Sequence, residues 1–202
     1  MSGEGPSKKE SLSGKSLVAR VADHHCERRA QLLSRNVSPD AVGGRLVRSS
    51  ALYEAGNTFE ALIMTALSHR PGFFPADRET RRALDDVIPS AGELYAELNF
   101  TPQSRHLRVV HPQLPNCGIS SLQPDLIEVL SAPAQMLRPD GSVVPVDGPA
   151  LGLRVIDIKS TLSPRGSGAY EVALYALVLS AYLEASRRVG ADGTPLVVVP
   201  QA

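Results

Sequence analysis

Eight consecutive residues, Val172 to Leu179, are apolar on nearly every side of the helix that they would form. A helix without a polar face has no side to offer to water, so the chain must bury it well inside a packed domain. Strand-like runs stand on both sides of it. Leu153-Arg154-Val155-Ile156-Asp157-Ile158-Lys159-Ser160 comes before, and Leu196-Val197-Val198-Val199 follows the break at Gly193-Thr194-Pro195. The helix itself is expected from Ala169 to Arg188, entered through a Gly/Ser-rich loop from Ser163 to Gly168. This alternation of strand, buried helix and strand places the chain in the α/β class.

Upstream, apolar residues at Val18, Val21, Ala22, Leu32 and Leu33 give a helical rhythm from Leu17 to Leu33, with Ser16 as N-cap. A second helix is expected over about Ser50 to Leu67, with Leu52, Phe59, Ile63, Ala66 and Leu67 as its buried stripe and Glu60 at the stripe's edge. Residues 71–100 read as an insertion, in which Pro75-Ala76-Asp77 starts a short helix that exposes Arg78, Arg81 and Arg82 and ends before Pro89. The middle is β. Leu107 to Val110 and Leu126 to Leu130 are short apolar or alternating runs, and Pro139-Asp140-Gly141 marks a hairpin turn between Gln135-Met136-Leu137 and Val143-Val144. No internal repeat is visible.

At 202 residues the chain suffices for one core rather than two, and with 43% hydrophobic and 21% charged residues it reads as a globular protein. Lys+Arg and Asp+Glu both number 21, so any grip on a polyanion must be local. No apolar run reaches membrane-spanning length, and the polar start from Met1 to Lys15 lacks the apolar core of a secretory signal. That start reads as a disordered tail ahead of a domain over 16–202, and no membrane partner is expected. Two cysteines, Cys26 and Cys117, are too few for a disulfide framework or a four-cysteine cluster, which suits a reducing cytoplasm.

Two short acidic phrases carry the chemistry. Pro124-Asp125 lies inside a strand-like run, and Asp157-Ile158-Lys159 ends another, where alternation sets Val155, Asp157 and Lys159 on one strand face. Magnesium takes hard oxygen ligands, usually one or two carboxylates with water and substrate phosphate, so Asp125 and Asp157 offer the right ligand type for a site that cuts a phosphodiester. Lys159 beside them can orient the attacking water or neutralise charge in the transition state. Taken singly, each phrase is also an ordinary turn dipeptide or a solvated edge pair.

Their order resembles the PD-(D/E)XK nuclease superfamily, and within it the RecB-like branch. Pro124-Asp125 and Asp157-Ile158-Lys159 match the defining pattern, with a long spacing that the hairpin explains. Gly56-Asn57-Thr58-Phe59-Glu60 is similar to the early-helix segment whose acidic residue completes the metal site, and Glu171 and Tyr175 stand where the branch places a Gln-x-x-x-Tyr motif. The resemblance implies a restriction-endonuclease-like αβββαβ core, with a mixed central sheet flanked by helices. It also implies magnesium or manganese held by Glu60, Asp125, Asp157 and the Ile158 carbonyl, and a nucleic-acid substrate, most often DNA, in repair, recombination or phage defence. Tyr175 matches the motif and Glu171 departs from it. A glutamate accepts hydrogen bonds but donates none, so Glu171 repels phosphate unless a cation or donor faces it.

His24-His25-Cys26-Glu27-Arg28-Arg29 adds further candidates. Some RecB-like nucleases, including iron–sulfur members of CRISPR adaptation, begin with a cysteine and arginine here, but their cluster needs three later cysteines, so none is expected from this chain alone. Consecutive helical residues point in different directions, which argues against zinc at His24, His25 and Cys26. Arg28, Arg29 and Arg165 are candidates for phosphate contact, because a planar guanidinium suits phosphate oxygens; a solvated surface is the alternative. For Tyr175 and Tyr182 the alternative is packing with the hydroxyl at the surface. Two rival readings of the whole stay open: an inactive nuclease-like module for nucleic-acid binding or interaction, and an unrelated α/β domain with coincidental acidic phrases. A protein partner, a fused domain and self-association stay open as well.

Overall fold

The computed structural model describes residues 11–12, 50–77, 82–103, 105–106, 118–119, 121–158 and 166–200. Their elements in chain order are β1 (Ser11–Leu12), α1 (Ser50–Leu67), β2 (Phe73–Phe74), β3 (Leu94–Ala96), β4 (Gly118–Ile119), β5 (Leu126–Ser131), β6 (Gln135–Leu137), β7 (Val143–Pro145), β8 (Leu151–Ile156), α2 (Gly166–Ser186) and β9 (Leu196–Val198). A 3-10 turn spans Leu84–Asp86. Seven strands form a mixed sheet in the order β2-β3-β5-β8-β9-β6-β7, and β1 pairs with β4 apart from it. The expected helix at Leu17 to Leu33 and the expected strand at Leu107 to Val110 lie outside the described residues, as do Cys26 and Cys117.

The sheet is organised by its two longest strands. β5 and β8 pair antiparallel from Leu126 opposite Ile156 to Ser131 opposite Leu151. Alternation sends Ile127, Val129, Leu153 and Val155 to one face, where they join Leu174, Val178 and Leu179 of α2 in the main core. Leu126 turns to the other face with Leu94 and Ala96, where Met64 and Leu67 of α1 and Ile156 pack against them. The two helices therefore cover opposite faces, which is why α2 can be apolar nearly all round. β9 then returns parallel to β8, as a strand must when a helix carries the chain back across the sheet.

Three local expectations change. The stripe of α1 is not buried along its length: Phe59 is 39% exposed, and the core contacts come from Met64 and Leu67 near the helix's end. The apolar face that α1 meets is small, with three buried residues, and covers little more than one helical turn. Residues 71–100, which read as an insertion, supply β2 and β3 and bury Leu94, Tyr95, Leu98 and Phe100. Pro75 to Asp77 are not helical, and Arg82 is half-buried, its guanidinium over the Phe74 ring at 5.5 Å. β8 stops at Ile156 rather than running on through Lys159, because the Ile158 N–H donates to the Asp125 carboxylate at 2.6 Å instead of continuing the ladder.

The hairpin lies where the Pro-Asp-Gly signal set it. Gly141 takes φ 86, a conformation that glycine adopts without strain, and the Asp140 carboxylate accepts the Ser142 N–H at 2.9 Å. β6 also pairs with β9 through Leu137 and Val198, so the hairpin extends the sheet beyond β9.

Glu128 is the one charged side chain among the buried polar residues of the strands. It stands opposite Arg154 on β8, which donates from Nε at 3.0 Å and again from Nη2, while Arg70 reaches it from the turn after α1 at 3.1 Å. Burial raises the pKa of this carboxyl, but the hydrogen bonds and charges of Arg154 and Arg70 outweigh burial and hold it below the ordinary value. A depressed folded-state pKa means that the contribution is present above the unfolded pKa and is lost as pH falls through the folded one. Glu128→Gln is expected to lower stability at neutral pH by about 1–3 kcal/mol and to flatten the acid limb of the stability profile. Urea melts at neutral pH and below the ordinary glutamate range test both effects; parallel profiles for the two proteins would refute the role.

Candidate functional site

The last pair in the β5–β8 ladder is Leu126 opposite Ile156, so Asp125 and Asp157 are the residues that flank this end of the ladder. Asp125 continues the face of Ile127 and Val129, and Asp157 that of Val155; both therefore belong to the side of the sheet that α2 covers. Asp125 is held from two directions. Its carboxylate accepts the Ile158 N–H at 2.6 Å, and its carbonyl oxygen accepts the Glu97 N–H at 3.0 Å. Pro124 before it is buried and has no N–H to satisfy, so a proline is tolerated at this entry to the sheet.

α2 supplies the other half. Tyr175 is 7% exposed, and its hydroxyl donates to the Glu171 carboxylate at 3.1 Å, one turn back on the helix. Burial pushes the phenol above the ordinary tyrosine range, and the charges of Glu171, Asp125 and Asp157 push it further. Tyr175 thus stays protonated and serves as a donor. Three carboxylates, from the residue before β5, the residue after β8 and the second turn of α2, act on this one phenol. Glutamate at 171, where the resemblance expects glutamine, is here the acceptor for the tyrosine.

Glu60 lines a cavity of about 580 Å³ together with Asn57, Ser68 and Glu97. Glu97 is a residue that the sequence reading missed. It follows β3 at φ 50, its carboxylate accepts the Gln123 side-chain amide at 2.8 Å, and its backbone is bonded to Asp125. A glutamate directly after the short apolar run Leu94-Tyr95-Ala96 is its only signal in the sequence. Among the described residues, no three His, Cys, Asp or Glu side chains are grouped so as to hold a metal ion. Asp125 and Asp157 offer two hard oxygen donors whose charges both reach Tyr175, which suits magnesium's usual one or two carboxylates.

Lys159, Arg28, Arg29 and Arg165 lie outside the described residues, and of Ile158 the structure gives the N–H contact to Asp125. Tyr182 does not turn its hydroxyl to the surface. It is 6% exposed and donates to Asp85, which also accepts from Arg188 at 2.7 Å, and burial with Asp85 pushes the phenol up to about 12. Tyr182 is a packing residue that pins the 3-10 turn to α2. Among the described residues no helix is long and apolar enough to cross a membrane. Comparison with known proteins gives no match: no family model fits this sequence, and no curated protein or solved structure matches it.

Proposed function

We propose that this chain is a divalent-metal-dependent nuclease of the PD-(D/E)XK type that hydrolyses phosphodiester bonds, in DNA before RNA. The observation that supports the reading is that the charges of Glu171, Asp125 and Asp157 all act on the one buried Tyr175 phenol. The element order supports it too. α1, β3, β5, β8, α2 and β9 run helix, strand, strand, strand, helix, strand, and the β6–β7 hairpin accounts for the distance between the two acidic phrases.

In this reading Asp125 and Asp157 would hold magnesium or manganese, with the Ile158 carbonyl as a further ligand by resemblance. The ion, when bound, supplies an activated water and neutralises phosphate charge. The chain's own residues prepare the place. The Ile158 N–H fixes the Asp125 carboxylate, so little reorganisation is needed there. Tyr175 keeps its proton and can turn its hydroxyl from Glu171 to a phosphate oxygen. Lys159 is assigned to positioning the water. Repair, recombination or phage defence in a reducing cytoplasm is the setting proposed.

The absence of a three-residue ligand group among the described residues favours a second reading, in which the same architecture serves as an inactive nucleic-acid-binding or interaction module. One assay separates the two. Labelled linear, circular and single-stranded substrates incubated with manganese are expected to be cut, and to stay intact with chelator. Binding without cleavage on all substrates would select the second reading.

A further inference from the structure

At the far end of α2 lies a cavity of about 400 Å³, walled by Ala181, Glu184 and Ala185 of the helix, by Arg138 and Pro139 of the hairpin, and by Arg105 and His106. Ala181 and Ala185 are 6 and 10 residues beyond Tyr175, which on a helix is about 9 and 15 Å. The cavity is therefore distinct from the acidic site. Its size falls in the range of small-molecule sites, and the small alanines and Pro139 give it a flat apolar wall.

The polar groups define what it can take. His106 is 4% exposed, its ring is set edge-on against Tyr182 at 5.7 Å, and its Nδ1 accepts the Gln103 N–H at 3.0 Å. Burial and the Arg105 charge lower its pKa, which favours the neutral ring. A neutral imidazole has one lone-pair nitrogen. The Arg105 Nε–H also reaches His106 Nε2 at 3.3 Å, a longer contact that competes with the Gln103 N–H for the ring's one lone pair. Arg105, Arg138 and the His106 N–H make a donor-rich rim. Of the two acids there, Asp140 uses Oδ1 for the turn, accepting the Ser142 N–H at 2.9 Å and hydroxyl at 2.6 Å, and Glu184 lines the cavity from α2 as a further acceptor for an amino group.

We infer that this cavity binds one nucleotide unit, with its phosphate on Arg105 and Arg138 and its base against Ala181, Ala185 and Pro139. Guanidinium groups suit phosphate oxygens and stack on planar rings, and Glu184 meets the exocyclic amine of a base such as adenine. The source of that nucleotide as part of a substrate strand rests on the nuclease reading; the pocket itself does not.

The test is a calorimetric titration of dAMP into the full chain in chelator, where no cleavage can occur. Saturable binding is expected. Arg138→Glu, on the exposed hairpin, is expected to weaken it about tenfold to a hundredfold, and Ala185→Trp, at the exposed rim, to abolish it; circular dichroism checks that both variants keep the fold. No saturable binding, or binding unaltered by either substitution, overturns the inference. Cleavage without dAMP binding would remove the pocket and leave the nuclease reading, and dAMP binding without cleavage would do the reverse.

Discussion

Asp125→Asn is expected to reduce manganese-dependent cleavage by about a thousandfold while leaving the melting temperature nearly unchanged, whereas Asp125→Ala should lower both. The difference follows from the two tasks of this side chain. One oxygen accepts the Ile158 N–H at 2.6 Å and so fixes the turn at the end of β8. An asparagine keeps a carbonyl oxygen for that bond; an alanine leaves the N–H without it, at a cost of about 1–3 kcal/mol. The negative charge needed beside a metal is absent from both variants. If Asp125→Asn cuts as well as the unsubstituted chain, Asp125 has only the structural task and the nuclease reading loses its first ligand. If both variants lose stability equally, the bond to Ile158 depends on charge rather than on shape. Manganese binding followed by electron paramagnetic resonance gives the parallel readout without turnover, and the same loss is expected there.

The legible part of the fold was the part with enough residues to show a period. α1 over Ser50–Leu67, the hairpin around Gly141, β5 and β9 lie where pattern and turn chemistry put them, and the apolar α2 does so except that it begins at Gly166, inside the stretch expected as a Gly/Ser-rich loop, and ends at Ser186. What failed was too short or depended on partners. β3 is three residues long between Glu93 and Glu97, so it shows no alternation to read, yet it pairs with β5 and is fully buried. The face of α1 was read as one stripe because periodicity says which residues share a side, not how far the facing sheet extends. Asp157 was placed on a strand that ends one residue earlier, because no propensity reports that a side chain from β5 will take the next backbone donor. In the candidate site, Asp125 and Asp157 are visible as phrases, and Glu171 and Tyr175 as residues one helical turn apart, while the bond of Ile158 to Asp125 and the place of Glu97 come from three-dimensional neighbours.

The same contrast sets the largest expected stability effect. Phe59 and Phe100 look alike in sequence, and the helical stripe would rank Phe59 as core; the structure reverses the order. Phe100 is 1% exposed, its ring tilts against Tyr182 with centroids 5.8 Å apart, and its backbone exchanges hydrogen bonds of 3.0 and 2.8 Å with Leu122. Phe100→Ala removes a ring from a closed part of the main core and is expected to cost about 3–5 kcal/mol, lowering the melting temperature by about 10 °C. Phe100→Leu keeps most of the apolar volume and should cost about 1.5 kcal/mol or less. Phe59→Ala, at 39% exposure, should cost less, about 1–2 kcal/mol, since a good part of that ring stays in water on folding. Urea denaturation of the three variants ranks them directly, and a cost for Phe59→Ala equal to that for Phe100→Ala would mean that α1 is covered by a partner. Tyr182 also braces His106, so Phe100→Leu, which stays folded, should weaken dAMP binding while leaving metal-dependent cleavage intact.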